Sequence, residues 1–429
     1  MENNNNILDE IMINQPIINI GMVGHVANGK SSITKALTGI STQKYASEKQ
    51  KNITIKLGYA NGKIYQCPLC KAPECYQSSP SHQMNKNCQI CNSEMKLITH
   101  FSLIDCPGHV KFMSTMLNGT NIMDTTILVE AINNETIPAP QTVEHINALT
   151  VGNIPNSIIC LNKFDLIKSE YGLKKIKIFQ EKLKNTVAEH SAIIPVAATF
   201  GINIDILCEY IAQIPKPIRN IESPVKMIVV RSFNINKPGT KITDMCGGVI
   251  GGSILYGKIN IGMDIELYPG YTTRNELNTS RWKYKPLRAK ILSINSETNK
   301  LEFAIPGGLI GIQLDIDPAL TANDKLIGQM LMPLNSGDVY ENITVLYKPL
   351  NNTINLKIND KLHLNINACN ISGEIQEINI DNSNPEIEKL NLKLEKPICV
   401  AIKDKVTILY DKKICGTSVI IDGIKSELN

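Results

Sequence analysis

The sequence predicts an α/β domain on a doubly wound, mostly parallel sheet, interrupted by a cysteine-rich insertion and followed by two β-barrel domains. Three observations carry this reading. Short apolar runs alternate with helical periods up to about residue 214. The proline-rich break "IPKPIRNIESP" (214–224) then ends that alternation, and beyond it short β-rich runs separated by Gly, Pro and Asn take over.

Taken in order, "IINIGMVG" (17–24) is a buried strand that runs into a glycine loop, with a helix starting near Lys30. "FSLID" (101–105) is a second strand, and the helical "VKFMSTMLNG" (110–119) follows it. "TTILVEA" (125–131), "SIICLN" (157–162) and "AIIPVA" (192–197) are further strands. "TVEHINALTVG" (142–152), "KKIKIFQEKLKNTVAE" (174–189) and "NIDILCEYIAQI" (203–214) are the helices between and after them. In such sheets ligands gather at the carboxyl ends of the strands. Among the later runs, "VKMIVVRSF" (225–233), "GGVIGGSILYGKI" (247–259) and "GGLIGIQLDI" (307–316) read as strands, and a second break falls at "MPLNSGDVYEN" (332–342). The expected division is a flexible tail over 1–16, an α/β domain over 17–214 with its insertion at 67–91, and barrels over 222–335 and 340–429.

With 429 residues, two to three domains are expected, each able to bury its own core. A net charge of +4 is mildly basic and compatible with a nucleic-acid partner. The opening "MENNNNILDE" has no basic stretch followed by an apolar run, and nothing in the chain is apolar for long enough to span a membrane as a helix. The reading is therefore cytoplasmic, with no membrane partner. In that setting the twelve Cys are expected as thiols or metal ligands.

Gly24 to Ser31 in "GHVANGKSS" has the P-loop spacing G-x4-G-K-[ST], after a strand and before a helix. Main-chain N–H groups of such a loop cradle phosphates, helped by the helix N-terminus. Lys30 is placed to reach the β and γ phosphates and Ser31 to ligate Mg²⁺. "DCPGH" (105–109) closes the next strand. Asp105 is then a candidate to hold Mg²⁺ through water, Gly108 to bring its amide to a γ-phosphate, and His109 to orient an attacking water. Alone, that string reads as a turn. The third motif is "NKFD" (162–165) after a strand. Asp165 can accept from both N1–H and N2–H₂ of guanine, Lys163 can lie along the base, and Asn162 can tie loops together. Polar recognition of this kind discriminates by roughly 10⁴ or more. The three motifs in order predict an α/β P-loop GTPase domain that binds Mg²⁺ with GTP or GDP.

"CPLC" (Cys67, Cys70) and "CQIC" (Cys88, Cys91) enclose 17 residues, within the C-x2-C-x15–20-C-x2-C zinc pattern. Four thiolates make a closed tetrahedral Zn²⁺ site, structural rather than catalytic. Cys75 is a fifth thiol that the spacing does not need. Cys106, Cys160 and Cys246 are scattered singly and read as small apolar residues.

A guanine-specific P-loop domain followed by two barrels is the plan of the translational GTPases. Within them the chain resembles the gamma-subunit family of the eukaryotic and archaeal initiation factor that delivers methionyl initiator tRNA. The resemblance rests on "NITIKLGYA" (52–60) with the cysteine knuckle after it, "DCPGH…MSTMLNG", "PAPQTVEH" (138–145), "RSFNINKPGT" (231–240), "GGVIGGSI" (247–254) and "PGGLIG" (306–311). It runs from about residue 17 to 335 and fades beyond.

The resemblance implies a GTPase, slow until an activating partner completes its site, in which GTP is hydrolysed to GDP and phosphate as a switch. "NITIK" resembles switch I, with Thr54 joining Mg²⁺ when the γ-phosphate is present, and the run after Pro107 resembles switch II. The implied nucleotide contacts are Gly24, Val26, Ala27, Asn28, Gly29, Lys30, Ser31 and Ser32, then Thr54, Asp105, Gly108, Asn162, Lys163, Asp165, Ala197 and Ala198. Implied partners are an alpha subunit on the second barrel region and a beta subunit on the GTPase domain. Methionyl initiator tRNA is placed between the GTPase domain and the barrels, with the small ribosomal subunit and GTPase-activating and nucleotide-exchange factors as further partners. Arg231, Lys237, Lys241 and Lys258 could lend positive charge there. The chain departs from the family in three places. Asn28 replaces a His, so GTP binding is expected to persist and any effect to fall on switch coupling. "PVAAT" (195–199) replaces a Ser-Ala, where a main-chain N–H, of Ala198, serves instead. The C-terminal "YDKKICGTSVI" lacks the family's Arg and Trp in a compact third domain. The alternatives are an elongation-type or selenocysteine-specific aminoacyl-tRNA carrier, against which the knuckle and "GGVIGGSI" speak, and a GTP-binding scaffold without tRNA.

Overall fold

In a computed structural model, which describes residues 10–42, 54, 56–274, 281–350, 356–380, 387–411 and 413–428, the chain divides into two units. The first comprises residues 1–219 with the short segments 296–300 and 307–309, and the second the remainder. Seven strands build the sheet of the first unit: β1 (Ile18–Val23), β2 (Gly58–Gln66), β3 (Tyr76–Pro80), β4 (Lys96–Asp105), β5 (Thr125–Ala131), β6 (Asn156–Asn162) and β7 (Ala192–Pro195). Their order is β3-β2-β4-β1-β5-β6-β7. The five strands β4-β1-β5-β6-β7 pair in parallel, as the alternation with helices requires. The helices are α1 (Lys30–Thr38), α2 (Met113–Thr120), α3 (Pro140–Gly152), α4 (Ser169–Lys182) and α5 (Ile204–Ala212). Ile20, Met22, Ile33, Leu37, Leu103, Ile127 and Val129 are among the side chains that close the core between sheet and helices.

Three features differ from the sequence reading. An antiparallel edge, β2 against β4 and β3 against β2, extends the parallel sheet and carries the cysteine-rich insertion. β2 escapes hydropathy because it buries polar residues: Lys63 has no exposed surface and donates from Nζ to the Gln83 carbonyl at 2.9 Å. Helix α4 begins and ends earlier than the periodicity suggests. Asn185 takes a left-handed backbone (φ 63°) just beyond it, which the repeating apolar pattern does not register.

Residues 10–16, expected in a flexible tail, are packed. Met12 and Gln15 are buried, the Met12 carbonyl meets His100 Nδ1 at 2.8 Å, and Gln15 Nε2 donates to the Gly307 carbonyl at 2.8 Å.

The second unit holds two closed six-stranded barrels. In the first, strands Asp264–Arg274, Met330–Met332, Lys226–Phe233, Val249–Tyr256, Ile310–Leu314 and Trp282–Ser296 follow one another. The last pairs back to the first and closes the ring. The second runs Val339–Pro349, Glu388–Cys399, Cys369–Ile380, Lys361–Ile366, Lys405–Tyr410 and Lys413–Lys425, also closed. Closure removes unpaired edges and turns alternate residues inward, here Ile343, Val345, Leu390, Leu392, Val406 and Ile408. No helix among the described residues is long and apolar enough to cross a membrane.

Candidate nucleotide-binding site

β1 ends at Val23, and the chain turns through Gly24–Gly29 before α1 begins at Lys30. Gly29 takes φ 96°, and a Cβ there would lie 2.1 Å from Asn162 Nδ2, so only glycine fits. No side chain caps α1, which leaves its first N–H groups aimed at the loop. The Lys30 side chain folds back, donating from Nζ to the carbonyls of Gly24 (2.8 Å) and His25 (2.9 Å). Burial pulls the Lys30 ammonium below its usual range, while Asp105, Cys106 and Glu130 pull it back up.

A cleft of about 260 Å³ opens over this loop. It brings together Val26, Ala27, Gly29, Lys30, Ser31, Ser32, Thr54, Gly108, Asn162 and Lys163, all expected at the nucleotide from sequence. Ser31 Oγ donates to Asp105 Oδ2 at 2.6 Å and lies 3.5 Å from Thr54 Oγ1, so three oxygen groups of the kind Mg²⁺ takes converge. A Cβ on Gly108 would lie 2.6 Å from Lys30 Nζ and 2.8 Å from Val26 N, which places that backbone against the loop.

Gly24, Asn28, Asp105, Ala197 and Ala198 do not line the cleft but lie behind or beside it. Asn162 Nδ2 donates to the Asn28 carbonyl (2.9 Å), and its Oδ1 accepts from Ala198 N–H (3.2 Å), so one side chain ties three loops together. Ala198 N–H is thus spent on Asn162. Asp165 is exposed, two residues beyond Lys163, whose left-handed backbone (φ 62°) turns the chain there. His109 stands partly exposed, with Nδ1 accepting the Lys111 N–H (3.1 Å) and its ring 6.1 Å from that of Phe112. In the neutral ring this leaves the hydrogen on Nε2. Of the switch I string, residues 52, 53 and 55 lie outside the described residues.

Three residues that sequence reading missed also shape the site. Thr199 lines the cleft. Thr42 donates to Asp105 Oδ2 at 2.5 Å. His145 on α3 accepts the Gly24 N–H on Nδ1 at 2.8 Å, and burial holds its pKa at about 3, which keeps the ring neutral for that task. His145 and Thr199 lie in strings quoted above, but nothing local to any of the three marks a role at the site. Only the tertiary fold brings them in.

In the insertion, the sulfurs of Cys67, Cys70, Cys88 and Cys91 all lie within 4.8 Å of one another. Cys67–Cys91, Cys70–Cys91 and Cys70–Cys88 separations are 3.4, 3.6 and 3.7 Å. Edges of about 3.8 Å are what a tetrahedron with Zn–S near 2.3 Å requires. Amides of Leu69 and Ile90 point at Cys67 and Cys88. Cys75 stands outside the cluster.

Comparison with known proteins bears on the family. Residues 15–217 match the family described as "Elongation factor Tu GTP binding domain". The chain is 39% identical over 416 residues to eukaryotic translation initiation factor 2 subunit gamma of Schizosaccharomyces pombe, covering 93% of this chain and 91% of that protein. It is 40% identical to the subunit of that name from Encephalitozoon cuniculi, with 93% and 90% covered. The chain belongs to the eukaryotic initiation factor 2 gamma-subunit family. As a member of that family it is a GTP-binding initiation factor subunit and a translational GTPase. Solved selenocysteine-specific elongation factors share its fold. A bacterial one reaches a TM-score of 0.68 at 21% identity, covering 94% of this chain and 58% of that one. SelB of Methanococcus maripaludis, with a GTP analogue, reaches 0.70 at 21%, covering 96% and 80%.

Proposed function

We propose that this chain is the GTP-binding core of a heterotrimeric initiation factor that delivers methionyl initiator tRNA to the small ribosomal subunit in the cytoplasm. The observation that carries the proposal is the level of identity to the gamma subunits, about 40% over nearly the whole chain, against 21% to the selenocysteine carriers. In this reading Lys30 and the loop N–H groups hold the β and γ phosphates. Ser31, Thr54 and Asp105 hold Mg²⁺, which when bound neutralises the charge between those phosphates. Asp165 and Lys163 hold the guanine, with Asn162 keeping their loop against the P-loop. His109, through Nε2, orients the attacking water.

Among the described residues the cleft lining includes no arginine, which supports hydrolysis that waits on a partner; a supplied arginine is worth roughly 10³–10⁵ in rate. Cys67, Cys70, Cys88 and Cys91 hold Zn²⁺ as a clasp for the insertion. Alpha and beta subunits, a GTPase-activating protein and an exchange factor complete the proposed set of partners. The domain limits that go with it are 17–214, 222–335 and 340–429.

The test is binding of methionylated initiator tRNA to the purified chain, alone and with its two partner subunits, at fixed salt. A non-hydrolysable GTP analogue is compared with GDP, and initiator with elongator tRNA. Tighter binding of initiator tRNA in the GTP state is expected. Equal binding of both tRNAs, or none with all subunits present, would leave a GTP-binding scaffold in its place.

A further inference from the structure

Beneath the phosphate loop lies a carboxylate that no motif assigns. Glu130, at the end of β5, has no exposed surface. Its Oε1 accepts from Asn134 Nδ2 (2.6 Å) and from the Ala139 N–H (3.2 Å) at the start of α3. Its Oε2 accepts from Thr142 Oγ1 (2.5 Å) and from Asn28 Nδ2 (3.2 Å). The two side-chain amides and the Ala139 N–H can only donate, and with Thr142 they pull the carboxyl back down against burial, which pushes it above its usual range. Burying such a group costs several kcal/mol unless its partners are complete, and a fold holds one there for what it organises.

What it organises is the P-loop. Asn28 is 1% exposed and spends its whole side chain on this network. Nδ2 also donates to the Val129 carbonyl (2.9 Å), and Oδ1 accepts from Asn134 (3.1 Å). Thr142, having given its hydrogen to Glu130, accepts the His25 N–H (3.3 Å). One turn further along α3, His145 accepts the Gly24 N–H. Three loop residues, Gly24, His25 and Asn28, are therefore pinned from below. On the far side, Lys175 of α4 donates to the Ile132 and Asn134 carbonyls (2.9 and 2.6 Å) and steadies the segment that bears Asn134.

We infer that Glu130 is a positioning residue for nucleotide binding: through Asn28 and Thr142 it holds the P-loop in the shape that takes a polyphosphate, and Asn28 is the residue type that this buried carboxylate demands. Asn28 thus acts under the loop, not on the switch segments. A side-chain amide there offers a donor to Glu130 and a second one to Val129, while its oxygen serves Asn134. The inference rests on the reading of the cleft as the site of GDP and GTP.

The experiment measures the release rate of a fluorescent GDP from the full chain, wild type and Asn28→Ala, Glu130→Gln and the double variant, with Thr142→Val as a nearly isosteric companion. Each single change should speed release roughly tenfold, the worth of about one lost buried hydrogen bond. The double variant should be no faster than the faster single, because both cut the same link. Urea midpoints are measured alongside, and a merely structural role would move those while the effects on release multiplied. Multiplying effects, or release within twofold of wild type in all variants, would overturn the inference and leave the cleft reading intact. A wild type that bound no GDP would take both down.

Discussion

The two polar centres of the first unit are built in opposite ways. The phosphate loop is held by the protein itself. Asn162 grips it from one side, Glu130, Thr142 and His145 from beneath, and Lys30 closes it on its own carbonyls. The cysteine knuckle is held instead by bonds among its own residues, with Ser93 Oγ beside the Cys67 and Cys91 sulfurs and Lys86 Nζ donating to the Ser78 carbonyl, over a small apolar base. Its apolar core is little more than Tyr65, Cys67, Cys75, Cys88 and Met95, and Leu69 and Ile90 at its loop tips are exposed. The loop is thus preorganised by bonds from distant segments, whereas the knuckle relies on its own short segment and on four sulfurs spaced as Zn²⁺ would need them.

The largest effect expected from that contrast is metal removal. Structural zinc contributes roughly 10–16 kcal/mol of apparent binding energy in small domains. Stripping it with a chelator should abolish amide-exchange protection across residues 67–95. GDP release should change less than about twofold, and a joint collapse would show that the two centres depend on each other. Next comes Lys30→Ala, which removes the buried charge and both bonds to the loop carbonyls. GTP and GDP should each bind roughly 100-fold more weakly by calorimetry, since two charge-assisted bonds are at stake. A loss under threefold would mean that the main chain carries the phosphates unaided. Asn162→Ala should be milder, roughly tenfold in affinity, for it unties loops while leaving the phosphate donors in place. Equal losses for GTP and for inorganic triphosphate would place its effect on the P-loop, and a loss confined to GTP would place it at the base.

A last effect, on stability and not on affinity, uses one histidine from each side. His145 under the phosphate loop and His100, whose Nε2 meets Ser81 Oγ at 2.9 Å on the knuckle side, are both held at about 3, burial being the first cause in each. Unfolded, each titrates near 6.5, so between those values the unfolded chain binds a proton that the native one refuses. Stability is therefore complete above about pH 6.5 and declines as pH falls toward 3, by about 1.4 kcal/mol per unit for each ring. Urea midpoints followed from pH 7.5 to 5 should fall less steeply in His145→Asn and in His100→Asn. A slope that survives both substitutions would have to come from other groups.

Much of the candidate cleft was legible because its chemistry is local. Gly24 to Ser31, Asp105 to His109 and Asn162 to Asp165 each place backbone and side chain within a few residues of a strand end, and the sheet brings those ends together. The four knuckle cysteines were legible for a similar reason, since C-x2-C loops preset the sulfur geometry. Asn28 was seen, and what the sequence did not show is its surroundings: in the fold its amide faces Glu130.

By itself, then, the sequence determined the fold class, the succession along the chain of the strands and helices that build the parallel sheet, the guanine-nucleotide motifs and the clustering of the four cysteines. All of these follow from periodicity and short-range spacing. Tertiary structure alone decided the antiparallel edge with its buried Lys63, the packing of Met12 and Gln15, and the burial of Glu130 beneath a loop 102 residues away in the chain. The physical reason is that a buried polar residue looks like a surface residue until its partners are known. Those partners come from distant segments, and local pattern carries no trace of them.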